Sequence, residues 1–217
     1  MAIAYFSPEV RLSINTMNGH LIETNKTLDP LIQDDFDNKD ILGILQTLQG
    51  STSFFRIMIH VIVNAMNKNF QDDFSEIIKN RKNNSAGPAY KTIVFNILMG
   101  SLTSLSFVLE NLFKSLLIEK NKKIPTGYEN LAKKISKTFE LNRDQKTTLL
   151  IFFAMRNSYH SAFIHKNSTR FTLKFDDYNY DLMPNKKIPT EYTYVSKITL
   201  ETVKVVKHIL EHRFAHT

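Results

Sequence analysis

Leu98, Leu102, Leu105, Leu109, Leu112 and Leu116 follow one another at steps of three or four residues. That spacing puts all six on one side of an α-helix, and such a stripe must be covered by other parts of the chain. The overlapping stretch TIVFNILMGSLTSLSFVL, residues 92 to 109, carries no charge. Its length is that at which a membrane span is considered. Asn96, Gly100, Ser101, Thr103, Ser104 and Ser106 dilute it, however, and favour a helix buried inside a protein. A long apolar helix over residues 88 to 120 therefore calls for a bundle, with other helices around it.

The rest of the chain supplies them. Residues 8 to 25 read as a weak, polar helix. Residues 39 to 69 show a longer pattern, with Ile41, Ile44, Leu45 and Leu48 and, after Gly50-Ser51, Phe55, Ile59, Val63 and Met66. Asp37 or Asn38 stands ready to cap its first free N–H groups. A shorter helix is expected near 70 to 81, before the loop KNRKNNSAGPAY. Residues 127 to 139 form a short amphipathic helix, and LNRD opens another over 142 to 162. FTLKFDDYNYDL and EYTYVSKITL then alternate in strand fashion around a loop containing MPNKKIP, which predicts a β-hairpin. Residues 199 to 213 return to a helical period. The expected fold is mainly α, a helical bundle with a small β-hairpin before the C-terminal helix. Residues 1–87 are read as an N-terminal helical layer or subdomain, and 88–217 as the principal helical domain with the hairpin.

With 217 residues, 42% of them hydrophobic and 23% charged, the chain can build a core without staples. It has no cysteine, which excludes disulfides, thiolate metal sites and a cysteine nucleophile. MAIAYFSPEVR lacks a basic start followed by an apolar core, so no signal peptide is expected, and a cytoplasmic location without membrane attachment is. The net charge of +7 is unevenly placed. Residues 1 to 110 hold 9 Lys+Arg against 11 Asp+Glu, and residues 111 to 217 hold 19 against 10, or −2 and +9. A basic half attracts polyanions, although a lysine-rich solubilising surface has the same composition.

Two short sequences recur. KKIPT at 122 to 126 and 186 to 190 reads as two similar entries from loop to element. QDDF at 33 to 36 and 71 to 74 is acidic, and Asp34, Asp35, Asp37 and Asp40 cluster around the first copy. The glycine and closing glutamate of a calcium loop are missing there, so helix capping is the better reading. No HExxH, GxxxxGK[ST] or GxGxxG occurs, and no metal or cofactor is expected. His208, His212 and His216 are spaced by four on the last helix, a weak metal pattern.

The chemistry concentrates in RNSYHSAFIH, residues 156 to 165, at the close of the apolar run LLIFFAM. On a helix Leu149, Phe152, Phe153, Arg156 and His160 share one face, and Asn157 lies three before His160. An arginine on an apolar face needs a partner. One reading pairs it structurally with Glu110, the acid within the 88 to 120 helix, and makes His160 a hydrogen-bonded core residue. The other opens that face onto a cleft, where a guanidinium fork binds phosphate oxygens and an imidazole moves a proton near neutrality. Arg56 and His60 repeat the three-residue gap and read as a structural pair.

RNSYH at the end of an apolar helix resembles the signature of the HEPN superfamily, helical-bundle proteins of bacterial defence and toxin systems. The gap from Arg156 to His160 is shorter than the family commonly has, and His165 is a second candidate histidine. The resemblance implies a metal-independent endoribonuclease acting on RNA, usually as a homodimer, and an antitoxin or other regulatory partner. It implies His160 as general acid or base, Arg156 as the group that stabilises phosphate charge, and Asn157 as the residue that orients the histidine or donates to a phosphate oxygen. Glu110 and His165 would support them. A non-catalytic RNA-binding or regulatory member of the same family is the alternative.

Overall fold

The structure is a computed structural model that describes residues 8–32, 38–64, 86–159, 161 and 163–214. The helix expected near 70 to 81 and the acidic residues Asp34, Asp35 and Asp37 lie outside the described residues.

Helix α1 (Pro8–Leu28) buries Ile14, Met17, Leu21 and Leu28, one side of its surface, and ends in a 3₁₀ turn over Asp29–Leu31. Helix α2 (Lys39–Asn64) begins at Asn38, whose Oδ1 accepts hydrogen bonds from the backbone N–H groups of Asp40 and Ile41, each at 3.2 Å. Of the two caps foreseen, Asn38 fills the role. Helix α3 (Ala86–Glu119) carries the leucine stripe. From Leu102 to Leu116 its five leucines are at most 1% exposed. The segment Met99–Glu119 is long and apolar enough to cross a membrane by length and composition alone, and 56% of its most apolar window is buried inside the bundle. Helix α3 packs against α2 and against three helices that follow it, α4 (Tyr128–Thr138), α5 (Arg143–Tyr159) and α6 (Tyr192–Phe214).

The ends of these helices are specified by local chemistry. Helix α3 stops where Asn121 takes a left-handed conformation, φ 51°. The N–H groups of Asn121 and Lys122 return to the carbonyls of Ile118 and Leu117 at 2.9 and 2.8 Å, satisfying acceptors that a helix terminus leaves open. Helix α5 starts with a reciprocal capping box: Asn142 Oδ1 accepts from the Gln145 N–H at 2.9 Å, and Gln145 Oε1 from the Asn142 N–H at 3.0 Å. Every residue from Thr148 to Met155 is buried, so α5 runs through the core and not along its surface.

The hairpin exists but is built differently from the sequence expectation. Its strands are β1 (Phe171–Phe175) and β2 (Tyr178–Leu182), antiparallel and joined by the two-residue turn Asp176-Asp177. Both therefore come from the one segment expected to be a single strand. Asp176 has φ 49°, a conformation that aspartate tolerates better than most residues. EYTYVSKITL is not the second strand; its residues from Tyr192 onward open helix α6. Its Tyr, Val, Ile and Thr residues favour strands intrinsically. Burial overrides that preference, because Val195, Ile198, Thr202, Val206 and Ile209 form one continuous buried stripe across the expected boundary.

A single core cluster includes residues from all six helices and from both strands. Helix α1 packs along α6 and α2, so the N-terminal elements share that core.

Candidate functional site

Arg156 stands in the last turn of α5, one helical turn beyond Phe153, which is fully packed. At that depth the guanidinium is half-buried, with Asn157 exposed beside it. The aromatic ring of Tyr128, first residue of α4, meets both layers. It stacks on Phe153 with centroids 4.9 Å apart and planes inclined by 29°, and the Arg156 guanidinium carbon lies 4.7 Å from its centroid. Gly127, at φ 80°, makes the turn that admits Tyr128 at this position; a side chain there would be strained.

Glu110 is the nearby acid, as the sequence suggested, but its partners differ from that expectation. Lys114 Nζ lies 2.6 Å from Glu110 Oε1, one turn along α3, and Tyr128 also hydrogen-bonds the carboxylate. Burial alone would raise the Glu110 carboxyl. The bonds from Lys114 and Tyr128 outweigh it, helped by the charges of Lys114 and Arg156, and hold it below its ordinary value. Burial, then the bond to Glu110, push the Tyr128 phenol upward. Tyr128 is thus the link between the acid and the arginine.

Arg156 itself is held by neutral groups. Its Nη1 donates to Asn157 Oδ1 at 3.1 Å, its face lies against Tyr128, and its buried Nε has no hydrogen-bond partner among the described residues. Among those residues no carboxylate comes within ion-pair distance of it. A guanidinium oriented by a π-face and an amide keeps its full positive charge for an incoming anion.

The histidines separate. His160 lies outside the described residues. His165 is 1% exposed, with Nε2 hydrogen-bonded at 2.8 Å to the Thr169 carbonyl oxygen and its ring against Phe171. Its backbone is fixed as well: its N–H donates to Lys186 O at 2.9 Å and its carbonyl accepts from Asn185 N–H at 2.7 Å. His165 therefore anchors the segment after α5 to the loop before α6.

Other residues singled out by sequence fall away from this site. Arg56 is half-buried and His60 exposed, and no hydrogen bond joins them. Tyr180, in the segment read as a strand, is fully buried, its hydroxyl donating to the Tyr194 carbonyl at 2.6 Å. The His208 and His212 rings lie 4.3 Å apart; His216, the third of the spaced histidines, lies outside the described residues, among which no group of three metal-ligating side chains forms.

Sequence reasoning missed Tyr128. Its only signal was an aromatic residue opening an amphipathic helix, and no helical spacing connects it to Arg156. Also unforeseen is a polar seam where α1, the hairpin turn and α6 meet. His20 Nδ1 lies 2.8 Å from Ser196 Oγ; the nearly buried Lys197 pairs with Asp176 and Glu201, each at 3.0 Å. Lys204 bridges Glu201 and Glu23 at 3.0 and 3.3 Å.

No protein-family model matches the chain, and no curated protein or solved structure matches it either.

Proposed function

We propose that this chain is a HEPN-type endoribonuclease that cleaves RNA without a metal ion. The observation that carries the reading is Arg156, a half-buried guanidinium aimed by Tyr128 and Asn157 and paired with no carboxylate among the described residues. Such a group binds a phosphate and stabilises the charge that develops on it during displacement. In the proposed reaction the ribose 2′-oxygen forms a bond to the adjacent phosphorus and the bond from phosphorus to the 5′-oxygen breaks. His160 takes the 2′-hydroxyl proton and solvent supplies one to the departing 5′-oxygen. Of the two histidines His160 is assigned this role, because His165 is buried and its Nε2 is engaged. Asn157 aligns Arg156, and Glu110, neutralised by Lys114, fixes Tyr128. The family's habit of dimerising and of pairing with an antitoxin or regulator belongs to the same proposal, as does a cytoplasmic location.

Mixed cellular RNA incubated with excess chelator tests the reading. Wild type should degrade it, and folded Arg156→Ala and His160→Ala variants should lose at least a hundredfold in rate. Wild type that binds RNA and leaves it intact would favour the non-catalytic RNA-binding module. Cleavage that survives in both variants would refute the site.

A further inference from the structure

The repeated KKIPT sequence has no place in the catalytic proposal, yet the fold brings both copies to one end of α5. The first copy, residues 122 to 126, follows the capped end of α3 and leads through Gly127 into Tyr128, whose ring lies under Arg156. The second copy, residues 186 to 190, is tied to the chain just beyond α5. Ile164 and Lys187 form an antiparallel bridge, and Ile188 N–H donates to Phe163 O at 2.9 Å. Phe163 in turn folds back onto the last turn of α5, its N–H donating to Ser158 O at 2.7 Å and its ring 5.8 Å from that of Tyr159. One basic loop therefore reaches the Arg156 turn through Tyr128, and the other through Phe163.

Both loops are held by backbone bonds that leave their lysines outward. Lys122, Lys123, Lys186 and Lys187 are all exposed, and none has an ion pair or side-chain hydrogen bond among the described residues. Lys114, Lys133, Lys197, Lys204 and Lys207 each face a carboxylate, whereas the four loop lysines, like Lys137 and Lys146, have no such pair among the described residues; what distinguishes the loops is their anchoring beside the Arg156 turn. Two lysine pairs on separate loops, each anchored near the turn that carries Arg156, offer positive charge suited to successive phosphates.

The geometry points to the two KKIPT loops as a two-sided clamp for the RNA backbone, gripping phosphates on either side of the one at Arg156. This rests on the proposed RNA-cleaving site and adds the track by which substrate crosses it. The partner is single-stranded RNA long enough to span both loops; a lone phosphate group would engage Arg156 without them.

Binding of a 20-nucleotide single-stranded RNA, 2′-O-methylated so that it cannot be cleaved, tests the clamp across a range of KCl concentrations. Each phosphate contact contributes about 0.7 to the slope of log affinity against log salt for a single strand. Lys122→Ala with Lys123→Ala should therefore flatten the slope by about 1.4 and weaken binding roughly tenfold near physiological salt. Lys186→Ala with Lys187→Ala should do the same, and all four substitutions should add. Lys137→Ala with Lys146→Ala is the control, since Lys146 is at the opposite end of α5, about 15 Å from Arg156 by helical rise. A clamp is excluded if one loop carries the whole effect, if the control matches either loop, or if duplex DNA of equal length competes better than the RNA. Wild type that binds no RNA removes the proposed function and the clamp together. RNA binding that is lost in Arg156→Ala but indifferent to both loops removes the clamp alone.

Discussion

Tyr128 and Arg156 show how a half-buried arginine can be kept without an ion pair among the described residues. Desolvating a guanidinium is costly, and the usual remedy is a carboxylate. Here Glu110 is paired with Lys114 and bonded to the tyrosine, and it acts on Arg156 by charge without forming an ion pair with it. A cation over an aromatic face gains about 0.5–2 kcal/mol depending on its desolvation, and the ring contact itself takes up none of the guanidinium N–H groups. Tyr128→Phe retains the ring and should preserve most RNA affinity and cleavage. Tyr128→Leu removes the ring and should cost roughly threefold to thirtyfold in cleavage, a range that follows from the cation–π magnitude. Measuring rates and melting temperatures for both variants checks this, and equal rates in the two would show that the ring does not aim the arginine.

His20 makes a second prediction at the residue scale. Its pKa is lowered below 6.5 first by burial and then by the charge of Lys197, with a smaller push from Lys204; Glu23 and Glu201 act in the opposite sense. Across the interval between the two pKa values the unfolded chain binds a proton that the folded chain refuses. Stability is therefore fully present above 6.5 and falls as pH drops from there toward the folded value. Thermal melts of wild type should decline over that interval. His20→Asn, whose amide can hydrogen-bond Ser196 from the Nδ1 position, should flatten the decline without abolishing folding.

At the scale of elements, the sequence was most legible where burial was one-sided. The leucine stripe of α3 follows directly from spacing; LNRD marked the start of α5, and the structure adds the capping pair Asn142–Gln145 there. The hairpin was misread because two signals coincided. Alternating aromatic and β-branched residues in EYTYVSKITL look like a two-faced strand, whereas Val195 through Leu200 are all buried and belong to a helix. The Asp176-Asp177 turn was hidden inside a run that otherwise alternates well. Packing of α1 along α6 could not be read from periodicity at all, since α1 is polar overall and its buried residues Ile14, Met17 and Leu21 are few. Removing α1 would uncover the buried side of α6, so a chain beginning after Leu31 should lose cooperative unfolding in a denaturant titration. A sharp two-state transition from that fragment would show that the remaining helices stand alone.

For the whole molecule, one central apolar helix organises the bundle, and the helix that crosses the core beside it ends in the candidate site. Arg156 and Asn157 were legible as candidates because charge and amide at the end of an apolar helix demand an explanation. Tyr128 was not, because its meeting with Arg156 depends on how α4 docks against α5. The basic C-terminal half acquires a direction in the same way: composition gave an excess of cations, and the fold ties the two KKIPT loops, whose lysines have no ion pair among the described residues, near α5's end.

The proposed role of Arg156 is to stabilise an attack by the ribose 2′-oxygen on its neighbouring phosphate. The most direct measurement is the chemical identity of the RNA ends produced in excess chelator by wild type and by Arg156→Ala. The account predicts 2′,3′-cyclic phosphate and 5′-hydroxyl ends from wild type, and their loss in the variant at unchanged melting temperature. Ends bearing a 5′-phosphate, or the same cyclic ends at the same rate from Arg156→Ala, would contradict it.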